Sequence, residues 1–395
     1  MEHWAIQAFG ESRFLKAIDR SEQWLLLKVL AEINPDGRLD GPLPEDELEG
    51  ALRVVELATI DLMETAFARN DCPGKEEFYK YCEKAFFLSR ALPVPENSLE
   101  AAKHYIRMTC FALLGQRSAD IRRWLNEQPW PRLPFDSAEW DIRVFAGIAE
   151  AWLRLVRKDG WDDLHAINRL ILRLRSDQSE FEESYLEKTP QNPRGAALEL
   201  VALYHVARAI ELLAIYSGQG EPKDILEQLD FHFERSLAAS QIAGLMELEL
   251  LLRWLMPAAR QMAMNCIWMV TRAYNSRITR YVSYLTSSEN TRPIFEMLPP
   301  QRRPLLEEGL LDPAKRAIVI DLPTSGGKTL LAQFRILQAL NQFAEERGWV
   351  AYLVPARALV NQICQRLKRD FAPLNVKVEK VSPALEVDSF EEELF

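Results

Sequence analysis

Residues 322–329 read LPTSGGKT, and their types and order suit a phosphate group. Ser325, Gly326 and Gly327 are small enough for successive backbone N–H groups to turn inward and form an anion nest. A helix opening near Lys328 would aim its positive end at the same place. Lys328 can reach the β- and γ-phosphates of a nucleotide, and the Thr329 hydroxyl can ligate Mg²⁺. Lys328 and Thr329 are therefore the candidate catalytic residues, Thr329 the candidate metal ligand, and a nucleoside triphosphate with Mg²⁺ the expected ligand. The stretch departs from the rule G-x-x-x-x-G-K-[ST] at its first position, where Leu322 stands. An ordinary glycine-rich turn between a strand and a helix is the competing explanation. Context argues against it, because an aliphatic run, IVIDL, leads in and a helical pattern leads out, as the mechanism requires.

Two aliphatic runs, RAIVIDL (316–322) and WVAYLV (349–354), read as strands, and each precedes a helical stretch, 328–346 and 356–371. A third strand is expected at NVKVEKVS (375–382). Strand, helix, strand, helix, strand implies parallel pairing in an α/β domain. Before it lies SSENTRP near residue 290, read as a linker. The division expected is therefore 1–290 and 291–395.

Residues 1–290 show apolar residues at three- and four-residue spacing, such as Leu203, Val206, Ala207 and Ile210, and read as almost wholly helical. Three turns share one pattern: ALLGQRSADIRRWL, LVRKDGWDDLHAI and AIYSGQGEPKDIL. Glycine stops one helix, and Ser118, Asp162 or Glu221 favours the start of the next. The spacing of these hairpins is irregular, which excludes a regular repeat array.

Composition places the chain among globular proteins, with 48% hydrophobic and 27% charged residues. Residues 291–395 hold 14 basic and 14 acidic residues, so the net charge of −10 lies in residues 1–290, with 34 basic and 44 acidic. That balance argues against a general nucleic-acid sponge and favours a protein partner for the helical part. Between 250 and 288 stand Arg253, Arg260, Arg272, Arg277 and Arg280, with Trp254, Trp268, Tyr274, Tyr281 and Tyr284 interleaved. They could form a surface for phosphates and bases, or core aromatics beside ion-paired arginines. The longest apolar run, 245–270, carries Glu247, Glu249, Arg253 and Arg260 and reads as a buried helix, not a membrane span. The N-terminus has no signal-peptide core, so a cytoplasmic location is expected. Cys72, Cys82, Cys110, Cys266 and Cys364 are scattered and read as reduced thiols. The five histidines are equally scattered and read as structural.

With these residues in place, a resemblance is evident. LPTSGGKT resembles motif I of superfamily-2 helicases, the DEAD/DEAH-box group. VPARALVNQ (354–362) resembles motif Ia, and LPPQRRPLL (298–306) resembles the Q motif. The flanking words are similar to the Ski-like and repair type, and a helical domain before the motor fits a bacterial anti-phage defence helicase. The resemblance implies that Gln301 reads the adenine edge. It implies that Thr324, Ser325, Gly326, Gly327, Lys328 and Thr329 hold the phosphates and Mg²⁺, and that Arg357 contacts the nucleic-acid backbone. Gln362 could equally be a helix-surface residue. The fold class implied is α plus α/β: a large irregular helical-hairpin N-terminal domain, regulatory or partner-docking, then an incomplete RecA-like parallel α/β lobe.

Nothing after residue 362 resembles the family's Asp-Glu pair or its later motifs. The expectation is an N-terminal part of a longer ATP-dependent helicase or translocase acting on DNA or RNA, single-stranded in the motor. This stretch by itself would bind nucleotide without hydrolysing it efficiently. The alternatives are a helical interaction scaffold with a non-hydrolysing remnant, or a signalling ATPase of another phosphate-loop class.

Overall fold

The structure is a computed structural model; it describes residues 3–33, 45–68, 74–137, 139–188, 192–272, 274–322 and 326–381. The chain divides into two compact units, 1–269 and 270–395. The first opens with α1 (Trp4–Phe9), α2 (Glu11–Ile33), α3 (Glu45–Ala68) and α4 (Gly74–Ala91). There follow α5 (Ser98–Leu114), α6 (Ser118–Glu127), α7 (Trp140–Arg157) and α8 (Trp161–Lys188). After them come α9 (Pro193–Gln219), α10 (Ile225–Ala243) and α11 (Met246–Asn265), and the short α12 (Ile267–Val270) lies at the division.

Neighbours in sequence pack as hairpins, α9 most extensively on α10, then α3 on α4 and α7 on α8. The caps explain several boundaries. The Asn97 side chain accepts the Leu99 and Glu100 N–H groups at 2.9 and 3.2 Å, which opens α5. Asn192 accepts the Gly195 N–H at 2.9 Å, and Pro193 starts α9. Gly220 ends α9 in the left-handed region at φ 72°, and a side chain there would meet the Trp268 ring at 2.6 Å.

Two expected starts and stops differ. Glu221 does not open α10; its N-cap is Asp224. Gly160 does not stop α7; Lys158 takes the left-handed position at φ 40°. The reason is Asp163, 2% exposed. Its carboxylate accepts the Asp159 N–H at 3.1 Å and the Arg157 guanidinium at 2.9 Å through Nε, and Arg154 lies 3.4 Å away. The first turn of α8 thus folds the α7–α8 turn around a paired charge.

The core of this unit holds Trp140, Trp152 and Trp254, all fully buried or nearly so. Trp152 donates to Thr109 Oγ1 at 2.8 Å, and Trp254 packs edge-on to Phe111 at 5.1 Å. Arg253 pairs with Glu249 at 2.8 Å and Arg260 with Asp230. Of the two readings of the basic-aromatic stretch, core packing is therefore the one seen for these residues. The fold also joins two histidines that stand far apart in sequence: His205 and His232 meet Nδ1 to Nδ1 at 2.9 Å. Burial lowers the pKa of both. No helix among the described residues is long and apolar enough to cross a membrane.

The second unit contains α13 (Ser276–Thr286), α14 (Pro299–Leu306), α15 (Lys328–Gln342) and α16 (Arg357–Phe371), followed by a 3₁₀ turn at Ala372–Leu374. Both helices expected after the aliphatic runs are present. The sheet between them is not: residues 316–322, 349–354 and 375–381 carry no strand ladder, and residue 382 lies outside the described residues. Val319, Leu353 and Val381 are exposed along these runs. An apolar groove of about 790 Å³ is lined by residues 349–354 and 375–381 together with Ile336, Leu340, Ile363 and Leu367. The RecA-like α/β lobe is thus not what the structure displays. A helix closes its hydrogen bonds locally, whereas a parallel strand exists only when neighbours supply its ladder.

Replacing Asp163 by Ala should cost about 3 kcal/mol, because two guanidinium groups lose a buried partner. Urea unfolding of the variant measures it, and a loss below about 1 kcal/mol would show that the α7–α8 turn does not depend on this carboxylate.

Candidate nucleotide-binding site

The candidate loop ends where α15 begins. Gly327 is the N-cap of α15, at φ 86° and ψ 25°, a conformation that L side chains rarely adopt. Its carbonyl accepts the Leu331 N–H at 3.2 Å, the first turn of the helix. The N–H groups of that turn have no partner within the helix and face its N-terminal end. Gly326 is buried, Gly327 and Thr329 are half-buried, and Lys328 is exposed with no ion-pair partner among the described residues. Thr324 and Ser325 lie outside the described residues.

Gln301 stands against this loop. It lies in the first turn of α14, where its Oε1 accepts the Leu298 N–H at 3.0 Å. Its Nε2 rests on Gly327 so closely that a Cβ there would overlap the amide. Glycine is required at 327 twice over, by its backbone angles and by the neighbour it meets. The resemblance assigns Gln301 and the loop to one nucleotide, and in the structure the Gln301 amide lies against Gly327. Arg302 steadies α14 by donating to the Met297 carbonyl at 2.6 Å.

Arg357 is the first residue of α16 in the backbone, and its side chain is not among those described. Gln362 is exposed on α16, as a helix-surface residue would be. Sequence reasoning missed the residues that hold the loop's helix in place. Arg335 of α15 donates to the carbonyls of Leu310, Asp312 and Lys315 at 3.2, 3.1 and 2.9 Å, clamping the turn that precedes residues 316–322. A lone arginine inside the apolar word LLAQFRIL was the available signal. Gln333, on the same helix, is 2% exposed and bonded at both ends of its amide.

No cluster of three or more His, Cys, Asp or Glu side chains that could hold a metal occurs among the described residues. The left-handed Gly327 and the buried Gly326 at the start of α15 fit an anionic ligand such as a phosphate.

Residues 305–393 match the family model for the DEAD/DEAH box helicase. The matched span lies within the second unit and takes in Lys328, Thr329 and Arg357, while Gln301 precedes it. The match supports a helicase superfamily and, in general, ATP-dependent action on nucleic acid.

Gly327→Ala should destabilise the second unit by about 1–2 kcal/mol through its backbone angle alone, plus the cost of displacing Gln301. Pairing it with Gln301→Ala should recover the second part. A double-mutant cycle read by denaturant melts tests this; strictly additive losses would mean that the two residues do not touch.

Proposed function

We propose that the second unit binds ATP with Mg²⁺ at residues 324–329 and begins the motor of an ATP-dependent nucleic-acid helicase or translocase. The observation that carries the reading is the left-handed Gly327 at the mouth of α15, with Lys328 exposed beside it and Gln301 packed on it. The family match over 305–393 supports the class.

Each residue's part follows from its chemistry. Backbone N–H groups of Ser325, Gly326 and Gly327 hold phosphate oxygens, and the α15 N-terminus adds its positive end. Thr324 borders the same loop. The Lys328 ammonium pairs with the β- and γ-phosphates, and the Thr329 hydroxyl takes one coordination position of Mg²⁺. Bound Mg²⁺ would neutralise charge on the phosphates. Gln301 has a side-chain amide of the kind that pairs with an adenine edge, and it already neighbours the loop. Arg357 opens α16 and contacts the sugar-phosphate strand. Such a pair of sites lets nucleotide binding and release drive movement on a single DNA or RNA strand.

The words around motifs I and Ia favour the Ski-like and repair type of motor, and a bacterial anti-phage setting fits a helical unit placed before it. The acidic excess of residues 1–290 favours a protein partner there over nucleic acid.

Lys328→Ala should weaken binding of a fluorescent ATP analogue, measured by anisotropy with Mg²⁺ present. One charge-assisted contact is worth about 1.5–3 kcal/mol, so the loss should be on the order of 10- to 100-fold. Equal affinity in the variant and the parent would remove Lys328 from the site.

A further inference from the structure

Three helices of the second unit meet at one buried amide. Gln333 lies on the inward face of α15 beside Leu330, Phe334 and Leu337, five residues beyond Lys328. Its Oε1 accepts the Tyr281 hydroxyl of α13 at 2.7 Å, and its Nε2 donates to Asp370 Oδ2 of α16 at 2.8 Å. Tyr281 is 1% exposed, and its ring stands edge-on to Phe334 and Phe371 at 5.8 and 5.7 Å.

The polarity of this chain is fixed. Reversing the amide would set Oε1 against the Asp370 carboxylate. Burial, and then the Asp370 charge, pushes the Tyr281 phenol far above its ordinary range, so it remains a donor at every working pH. Asn275, the N-cap of α13, donates to Gln338 Oε1 at 2.5 Å and sets the register of α13 along α15. Tyr274 donates to the Leu305 carbonyl at the end of α14 at 2.7 Å. The segment before the motor motifs thus grips both helices that flank the loop.

At the far end, Asp370 also faces Arg369 at 3.0 Å and Arg366 at 3.6 Å. Arg369 is largely exposed and Arg366 about half exposed, so both guanidinium groups are reachable by an anion. A shift of the loop end of α15 must break one of the two buried bonds or carry α16 with it.

We propose that the Tyr281–Gln333–Asp370 chain couples occupancy of the candidate nucleotide loop to the nucleic-acid affinity of α16, with Gln333 as the positioning residue. The inference rests on reading the loop as nucleotide-binding. It assigns a role to α13, which precedes every motif of the resemblance.

The test is a linkage measurement on the whole chain. Dissociation constants for a fluorescent ATP analogue with Mg²⁺ are measured with and without a saturating 20-mer, oligo(dT) and oligo(U) in separate arms. The parent should show a ratio of fivefold or more in at least one arm, in the range usual for coupled sites. Tyr281→Phe keeps the ring, and Gln333→Met keeps the side-chain length. Both should retain nucleotide binding within threefold, yet bring the ratio to within twofold of one. A purely structural role would lower the melting temperature and leave the ratio alone, and that result overturns the coupling. So does a parent ratio of one in both arms. A parent that binds no nucleotide overturns the reading of the loop as well as the coupling, which separates the two failures.

Discussion

The amide of Gln333 is the constraint on which the second unit depends. It is buried, and both its polar ends are bonded, to Tyr281 on α13 and to Asp370 on α16. An unmade bond at a buried amide costs more than a made one contributes, so the three helices are held to one arrangement. Leu331, Phe334 and Leu337 of α15 and Phe371 of α16 are buried as well. Everything the loop can do follows from this. Gly327 is presented at the start of a helix whose inward face is fixed, and Gln301 can settle on it because α14 is tied to the same segment through Tyr274.

Much of this was legible in the sequence, and the rest was hidden for physical reasons. Small residues before Lys328 announced a helix start, and α15 begins there. Pro355 disfavours the helical conformation in the residue before it, and α16 starts at Arg357. The hairpin turns were readable as turns, although Gly160 and Glu221 do not mark the helix boundaries there. Asp163 was not read as the turn's organiser, because its partners Arg154 and Arg157 lie on the preceding helix. The contact of Gln301 with Gly327, like that of His205 with His232, depends on how helices cross, and no local pattern encodes it. The sheet failed for the converse reason. The aliphatic runs have strand composition, but a ladder is a property of neighbours, and in this structure those runs lie unpaired.

Charge is unevenly spread along the chain. The acidic excess falls in residues 1–290, where the charged groups near the core are consumed in pairs such as Arg154–Glu150 and Arg175–Glu211. In contrast, α16 carries Arg357, Arg366, Lys368 and Arg369 against Asp370. Lys368 and Arg369 in its last turn complement the helix dipole. That leaves a basic helix joined through Asp370 and Gln333 to the helix that opens at Lys328.

Hydrogen exchange with and without Mg²⁺ and ATP tests the central claim most directly, because it reports every backbone amide of the intact chain. The account predicts slowed exchange in residues 326–336 and 298–306, where the loop, α15 and α14 meet. Unchanged exchange in both segments, or slowing confined to residues 1–269, would contradict it.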